Sequence, residues 1–264
     1  MELPSIMRTN RIKQRIAAKT PSYGIGLLWP SPEIVDLVGA LGFEWLWLDI
    51  EHGPFDLATL SHTVRAAEAG GMDTIIRLPR SRDPEAILPY LETGAMGVIM
   101  AHTQSAEDVE FAVSAIKYPP VGERSAGTMR GAGWGAESGF YEHSNRETMV
   151  MALVEDEIGI ANLDAILAVD GLDAVVIGYG DLSLTMGHPG NKGHPHVQEV
   201  GLAAQEKVLA SDKALQVTAQ DGDEAAQWIA RGALMVRCTA VTILTAGLRP
   251  WLAKARAGAA GGGR

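Results

Sequence analysis

Eight times along this chain a short apolar, β-rich run is followed by a stretch of helical periodicity, and no other feature narrows the fold as much. The runs fall at 24–28, 45–50, 73–78, 97–101, 149–155, 173–178, 214–218 and 233–238. Helical patterns fall at 32–41, 56–69, 83–93, 105–117, 160–168, 196–211, 222–231 and 241–256. Parallel strands need a crossover between them, and a helix supplies it, so the alternation predicts a parallel sheet. Eight such units in 264 residues predict an α/β fold closed into a (β/α)8 TIM barrel rather than an open sheet, with a further helix at the N-terminus.

A fold of that size needs an extensive apolar core, which 47% hydrophobic against 20% charged residues can supply. Charge then limits function. A formal net charge of −10 and a pI near 5.2 leave no basic stripe for phosphate contacts, so no nucleic-acid partner is expected. Residues 7–20 are basic and polar, with no apolar stretch of signal-peptide kind, and no uninterrupted apolar run reaches the roughly 18 residues of a membrane span. The expectation is a cytoplasmic protein with no membrane partner. Cys238 is the single cysteine and reads as a small buried hydrophobe. Residues 1–256 are expected to form one domain and the Gly/Ala-rich stretch 257–264 a flexible tail.

Two segments interrupt the rhythm. Residues 118–147, with Pro119-Pro120 and the glycine-rich 131–135, form a long excursion of the kind that is usually functional or covering. Residues 187–195 carry His188 and His194 among turn formers and read as solvated surface.

In a parallel barrel, chemistry is done at the C-terminal strand ends. The run Trp45-Leu-Trp-Leu-Asp49-Ile-Glu51-His52-Gly-Pro54 passes abruptly from apolar residues to acids and a histidine before a turn. The third strand ends in Arg77, the fourth is followed by His102, the fifth by Glu155-Asp156-Glu157 and the sixth by Gly178-Tyr-Gly-Asp181. Each is ordinary at a solvated strand end, but five in succession on one rim imply a site. Glu155 and Asp181 suit a hard cation of the magnesium or manganese kind, or else cap the helices that follow. Arg77 calls for an anion, either a substrate carboxylate or enolate or a neighbouring acid such as Asp49. His52 is either a general acid–base or a structural histidine before Gly-Pro. Trp29 and Trp134 are candidates for a pocket wall, or for core or interface packing.

An ordered set of motifs then stands out: Asp49-x-Glu51-His52-x-Pro54-x-Asp56, Ile-Arg77-Leu-Pro, Pro119-Pro-x-Gly-x-Arg124, Val-Glu155, Gly178-x-x-Asp181-Leu-Ser183 and Met186-Gly-x-Pro189-x-x-x-Gly193-His194-Pro195. Over about residues 22–250 the chain resembles the HpcH/HpaI family of class II, metal-dependent pyruvate aldolases. The resemblance implies a (β/α)8 barrel, usually a homohexamer whose C-terminal helices are exchanged between subunits. It implies cleavage or formation of 4-hydroxy-2-oxo acids, from pyruvate or hydroxypyruvate plus an aldehyde, through a metal-stabilised enolate. By the same resemblance Glu155 and Asp181 would hold the cation (Mg2+, Mn2+ or Co2+), with no organic cofactor. Arg77 would hold the 2-oxo group, His52 would move the proton, and the backbone around Gly180 and Asp181 would take the substrate carboxylate. Glu92 falls where relatives carry the carboxylate that orients this histidine, and Asp49 and Glu51 would order water and the imidazole. No Schiff base is implied, so Lys117, Lys192, Lys207 and Lys213 are not assigned as nucleophiles.

The chain departs from the family pattern at several places. Leu153 stands where relatives often have glutamine, Tyr179 replaces a proline, Glu92 is one methylene longer than aspartate, and Thr239-Ala240-Val241 replaces a small-polar-acid stretch. His102, where an apolar residue is expected, resembles a macrophomate synthase-like branch that decarboxylates oxaloacetate, and with Trp29 it is expected to line the substrate site. The leading expectation is therefore an aldolase. An oxaloacetate-type decarboxylase is the alternative enzyme, and a barrel that binds metal and acid without turnover is a third reading.

Overall fold

Within the run Trp45–Asp49 the two indoles face the inside of a barrel, while Leu46 and Leu48 face the helices around it. The same period of two recurs in Met149–Val154, where Met149, Met151 and Leu153 point in and Val150, Ala152 and Val154 point out. Two apolar cores result, one inside the barrel and one between strands and helices.

The computed structural model describes residues 7–135 and 137–261. After helix α1 (Arg11–Ala17), the first half of the chain forms β1 (Ser22–Leu27), α2 (Pro32–Ala40), β2 (Trp45–Asp49), α3 (Leu57–Ala69), β3 (Asp73–Leu78), α4 (Pro84–Leu91), β4 (Gly97–Met100) and α5 (Ala106–Ile116). The second half forms α6 (Phe140–Glu147), β5 (Met149–Val154), α7 (Glu157–Ala161), α8 (Leu163–Leu167), β6 (Ala174–Ile177), α9 (Tyr179–Thr185), α10 (Pro195–Leu209), β7 (Ala214–Thr218), α11 (Gly222–Ala230), β8 (Met235–Thr239) and α12 (Ala240–Gly261). All eight strands pair in parallel with their sequence neighbours, and β8 returns to β1 to close the barrel. Each strand lies where the sequence predicts it, within about two residues.

Capping residues set where helices begin. Ser31, Asp56, Ser105, Asp156 and Asp221 each accept a backbone N–H from the first turn of the helix that follows. The expected fifth helix is divided into α7 and α8 at Asn162, whose backbone (φ −94, ψ 7) leaves the helical region. Helix α6 within the long excursion was not expected, and α9, implied only by the reading of Asp181 as a helix cap, starts earlier, at Tyr179, with Asp181 inside its first turn. The last helix runs through Gly261, into the stretch expected as a tail, and residues 262–264 lie outside those described.

Glycine in β1 is a packing requirement. A Cβ on Gly24 would fall 2.3 Å from Cε2 of Trp45, and one on Gly26 would fall 2.5 Å from Nη1 of Arg237, so β1 leaves space that an indole and a guanidinium fill. The N-terminal end of the barrel is sealed by α1. Ile12 is fully buried against Trp45 and Ile75. Asn10 caps the helix and donates to the carbonyls of Met96 (3.0 Å) and Glu147 (2.9 Å). Asp73 accepts from the Arg11 amide at 2.7 Å. One end is thus closed for stability, and the other is left open for chemistry.

Candidate active site

At the open end, register places Asp49, the last residue of β2, beside Arg77 of β3. Both are buried. The Arg77 guanidinium donates through Nε to Asp49 Oδ1 at 3.0 Å and through Nη2 to Asp49 Oδ2, while Nη1 lies 3.0 Å from Glu51 Oε2. The neighbouring-acid reading of Arg77 therefore describes the chain. It does not exhaust the group, because the hydrogen bonds to Asp49 engage two of five N–H donors and leave others for a substrate.

Glu51 joins the parts of the site. Its Oε1 lies 3.2 Å from Nε2 of His102, and its Oε2 lies 3.8 Å from Nε2 of His52. His102 has φ +51, an unusual conformation for a residue with a Cβ. That backbone turns its amide onto Oε1 of Glu155 at 2.9 Å, with Nδ1 3.4 Å from the same oxygen. One histidine thus links the β2 acids to the β5 acid. His52 sits at the rim with its side chain 60% exposed, and its amide donates to Asp49 Oδ1 at 3.1 Å.

Across the mouth, Glu155 follows β5 and Asp181 lies in the first turn of α9. Burial, followed by the Asp181 charge, pushes the Glu155 carboxyl up to about 8. The helix-cap alternative falls instead to Asp156, which accepts from the Gly159 amide at 2.8 Å, whereas Gly178 stands at the N-cap of α9. A Cβ on Gly178 would lie 2.8 Å from Glu155 Oε2, so glycine there keeps the acid's space open. A buried Glu155 beside a half-buried Asp181 is a pair of carboxylates that would hold a hard divalent cation. Among the described residues no group of three or more His, Cys, Asp or Glu converges as a metal cage, so the other coordination positions would fall to substrate and water.

Several sequence-derived assignments end up elsewhere. Glu92 is not brought to His52: it caps the C-terminus of α4 and pairs with Arg124 Nη2 at 2.9 Å. The reason is topological. Barrel helices run antiparallel to the strands, so a helix C-terminus lies at the sealed end, opposite the mouth. The excursion 118–147 joins α5 to β5 and lies at that same end. There a cavity of about 590 Å³ is lined by Arg65, Glu68, Glu92, Arg124, Arg130 and the exposed Trp134. Tyr179 also turns away from the mouth: its hydroxyl donates to Gln205 at 2.8 Å and its ring lies over Gly201 on α10. Leu153 faces the barrel interior. Trp29 follows β1 at the mouth and packs partly buried against the outer core. The backbone N–H groups of Gly180 and Asp181 open α9 with no side chain capping them.

Other features of the mouth are not legible in the sequence. Glu51 is expected, with Asp49, to order water and the imidazole, but its position between His52, His102 and Arg77 is not given by the sequence. Lys192, distant in sequence from any strand end, folds back so that Nζ lies 3.7 Å from where a Gly180 Cβ would be. Arg237 on β8 points into the barrel and stacks on Trp47 at 4.0 Å. Its signal was the inward phase of the run Met235-Val-Arg237, in which a cation replaces the expected apolar residue.

Residues 27–243 match the model of a family described as HpcH/HpaI aldolase/citrate lyase. The chain is 35% identical to a hydroxypyruvate/pyruvate aldolase of Pseudomonas aeruginosa over 238 residues, covering 89% of this chain and 87% of the relative. It is 33% identical to a 2-keto-3-deoxy-L-rhamnonate aldolase of Klebsiella pneumoniae subsp. pneumoniae, with 89% of each chain covered. Among solved structures it is similar to an HpcH/HpaI aldolase from Desulfitobacterium hafniense DCB-2, with TM-score 0.85, 27% identity, and coverage of 92% of this chain and 96% of that one.

Proposed function

Because the chain belongs to the HpcH/HpaI aldolase/citrate lyase family, we propose that its open barrel end is the active site of a divalent-metal-dependent aldolase, an aldehyde-lyase that makes or cleaves 4-hydroxy-2-oxo acids. The observation that carries the reading is the pair Glu155–Asp181, the first buried and the second near enough for its charge to raise the first, facing the Asp49–Arg77–Glu51 cluster across one mouth. When bound between those two carboxylates, a divalent cation supplies Lewis-acid polarisation of the 2-oxo group. Magnesium, manganese and cobalt all suit two oxygen donors, and the substrate is pyruvate or hydroxypyruvate with an aldehyde.

The chain's own groups supply the rest. Arg77, hydrogen-bonded to Asp49 and ion-paired with Glu51, is held in place, and its remaining N–H donors face negative charge as it develops on the 2-oxo oxygen. The uncapped N–H groups of Gly180 and Asp181 take the substrate carboxylate. His52, mobile at the rim, exchanges a proton with the 4-hydroxyl, and Glu51 is the carboxylate within reach to orient it, the role that Glu92 cannot fill from the sealed end of the same chain. His102 holds Glu155 in place through its amide.

A second copy of the chain completes the proposal. The C-terminal helix α12 presents Val241, Ile243, Leu244, Leu248, Trp251 and Leu252 to solvent, the expected appearance of a helix exchanged between subunits of a hexamer. The test of function is to supply purified protein with Mg2+, Mn2+ or Co2+ and to offer pyruvate or hydroxypyruvate with glycolaldehyde. An aldol adduct whose formation is abolished in Glu155→Gln is the expected result. Carbon dioxide from oxaloacetate with no adduct from either pair would replace the reading by a decarboxylase. Equal turnover by Arg77→Ala and the parent would remove Arg77 from the mechanism.

A further inference from the structure

Two arginines point into the mouth, and their surroundings differ. Arg77 meets two carboxylates, whereas the Arg237 side chain makes no hydrogen bond or ion pair with any described residue. Its Nε is buried without a partner. The nearest acid, Asp49, is already held by Arg77, and burial together with the Arg77 charge pushes the Arg237 guanidinium down to about 9. Stacking on the Trp47 ring offsets part of the desolvation but satisfies none of the N–H donors. A cation kept in such surroundings without a partner is costly unless an anion arrives.

Position shows which part of a ligand would meet it. Arg237 pairs in register with Gly24, yet its Nη1 lies beside Gly26, two residues nearer the open end and level with Thr239. The side chain therefore climbs toward the mouth through the space that glycine leaves in β1. The Trp47 centroid lies 4.0 Å from the Arg237 guanidinium carbon and 5.8 Å from that of Arg77, so one small diacid can reach both. Gln216, on the adjacent strand β7, also faces inward, with neither amide atom partnered. Glu155 and Asp181 stand across the barrel, on the β5–β6 side. A substrate held there by its 2-oxo acid end extends its other end toward β8, β1 and β2.

The geometry points to an anion subsite formed by Arg237 with Gln216, which takes a second carboxylate at the aldehyde-derived end of the substrate. It rests on the aldolase reading for the placement of the 2-oxo end. The preferred aldehyde would then itself be an acid, and the aldol product a dicarboxylate.

The decisive measurement is equilibrium binding rather than turnover, so failure of the aldolase reading and failure of the subsite give separate results. Titration calorimetry on the Mn2+-supplied protein compares 2-oxoglutarate with 2-oxopentanoate, matched in chain length and differing in the distal carboxylate. The parent is expected to prefer the diacid at least tenfold, the range of one charge-assisted contact. Arg237→Met, which keeps an apolar stem on Trp47, is expected to abolish the preference, and Arg237→Lys to retain much of it. With pyruvate as donor, the ratio of KM for succinic semialdehyde to KM for butanal should rise at least tenfold in Arg237→Met. A parent without preference, or an Arg237→Met protein that weakens both ligands equally, would overturn the subsite. Loss of preference for the diacid with a response to oxaloacetate alone would move the second carboxylate to the donor and overturn the assignment to the aldehyde.

Discussion

Asp49 ends β2 and His52 follows three residues later, and the two carry opposite burdens. Asp49 is buried and neutralises a buried guanidinium, so Asp49→Ala, which leaves Arg77 without its main partner, is expected to cost about 3–5 kcal/mol in denaturant unfolding. His52 is largely exposed, so His52→Ala should change stability by less than about 0.5 kcal/mol. The same substitution should slow aldol turnover roughly a hundred- to ten-thousandfold while metal affinity holds, and loss of metal in that variant would show the ligand assignment to be wrong. Glu155 gives a prediction in pH. Its carboxyl is raised in the folded chain from an ordinary 4.5 to about 8, so between those values the folded state keeps a proton that the unfolded state has released. Stability of the metal-free protein must then fall as pH rises through that window. A Tm drop of more than about 4 °C between pH 6 and pH 9 is expected. It should shrink in Glu155→Gln and on adding Mn2+, and an unchanged drop in Glu155→Gln would assign the effect to other groups. Much of this site was legible because strand-end residues announce themselves by an abrupt change from apolar to ionisable. Glu51 as the shared acid and Arg237 as the unpaired base were not legible, since partner choice depends on which side chains meet across the barrel.

At the scale of elements, the strands were legible because period-two alternation and turn residues bound each run, and every strand lies within about two residues of its expected place. The misplacements have one common source: which end of the barrel a segment occupies follows from helix direction, and residue type does not report it. Glu92 aligns with a family position yet ends α4, which delivers it to the sealed end, and the excursion 118–147 follows it there. The start of helix α9 is not legible because Tyr179–Thr185 is short and follows β6 with no side-chain cap to mark it. Packing between elements also explains a glycine inside a strand. Gly24 lies in a strand because Trp45 occupies the volume of its missing side chain. Gly24→Ala is expected to destabilise the barrel by about 1–3 kcal/mol, measured by chemical denaturation. In the background of Trp45→Phe, which relieves the collision, the cost should fall by at least half, and a cost unchanged by that substitution would point to backbone strain instead.

For the whole molecule, one apolar surface is left uncovered. Along α12, Leu248 is 61% and Trp251 69% exposed, with Ile243 and Leu244 on the same helix nearly half exposed, and Leu37 and Leu41 at the α2 end add further uncovered apolar area. Scattered apolar residues on a surface are normal, but a run of them along the terminal helix calls for a cover. The barrel itself does not need α12 for its core: the helix touches β1 and β8 only near its start, where Ala240 is buried, and then extends away from the apolar layer that packs the other helices. Its apolar side chains are therefore available to a second copy. Light scattering on the parent is expected to show a defined assembly, hexameric if the family pattern holds. The double substitution Leu248→Glu with Trp251→Arg places opposite charges on the exposed face without touching the barrel, and should yield monomers with an unchanged circular dichroism spectrum. Monomeric parent protein at micromolar concentration would mean that α12 is covered in some other way, and aldolase activity retained by the dissociated variant would show that each barrel mouth is complete within one chain.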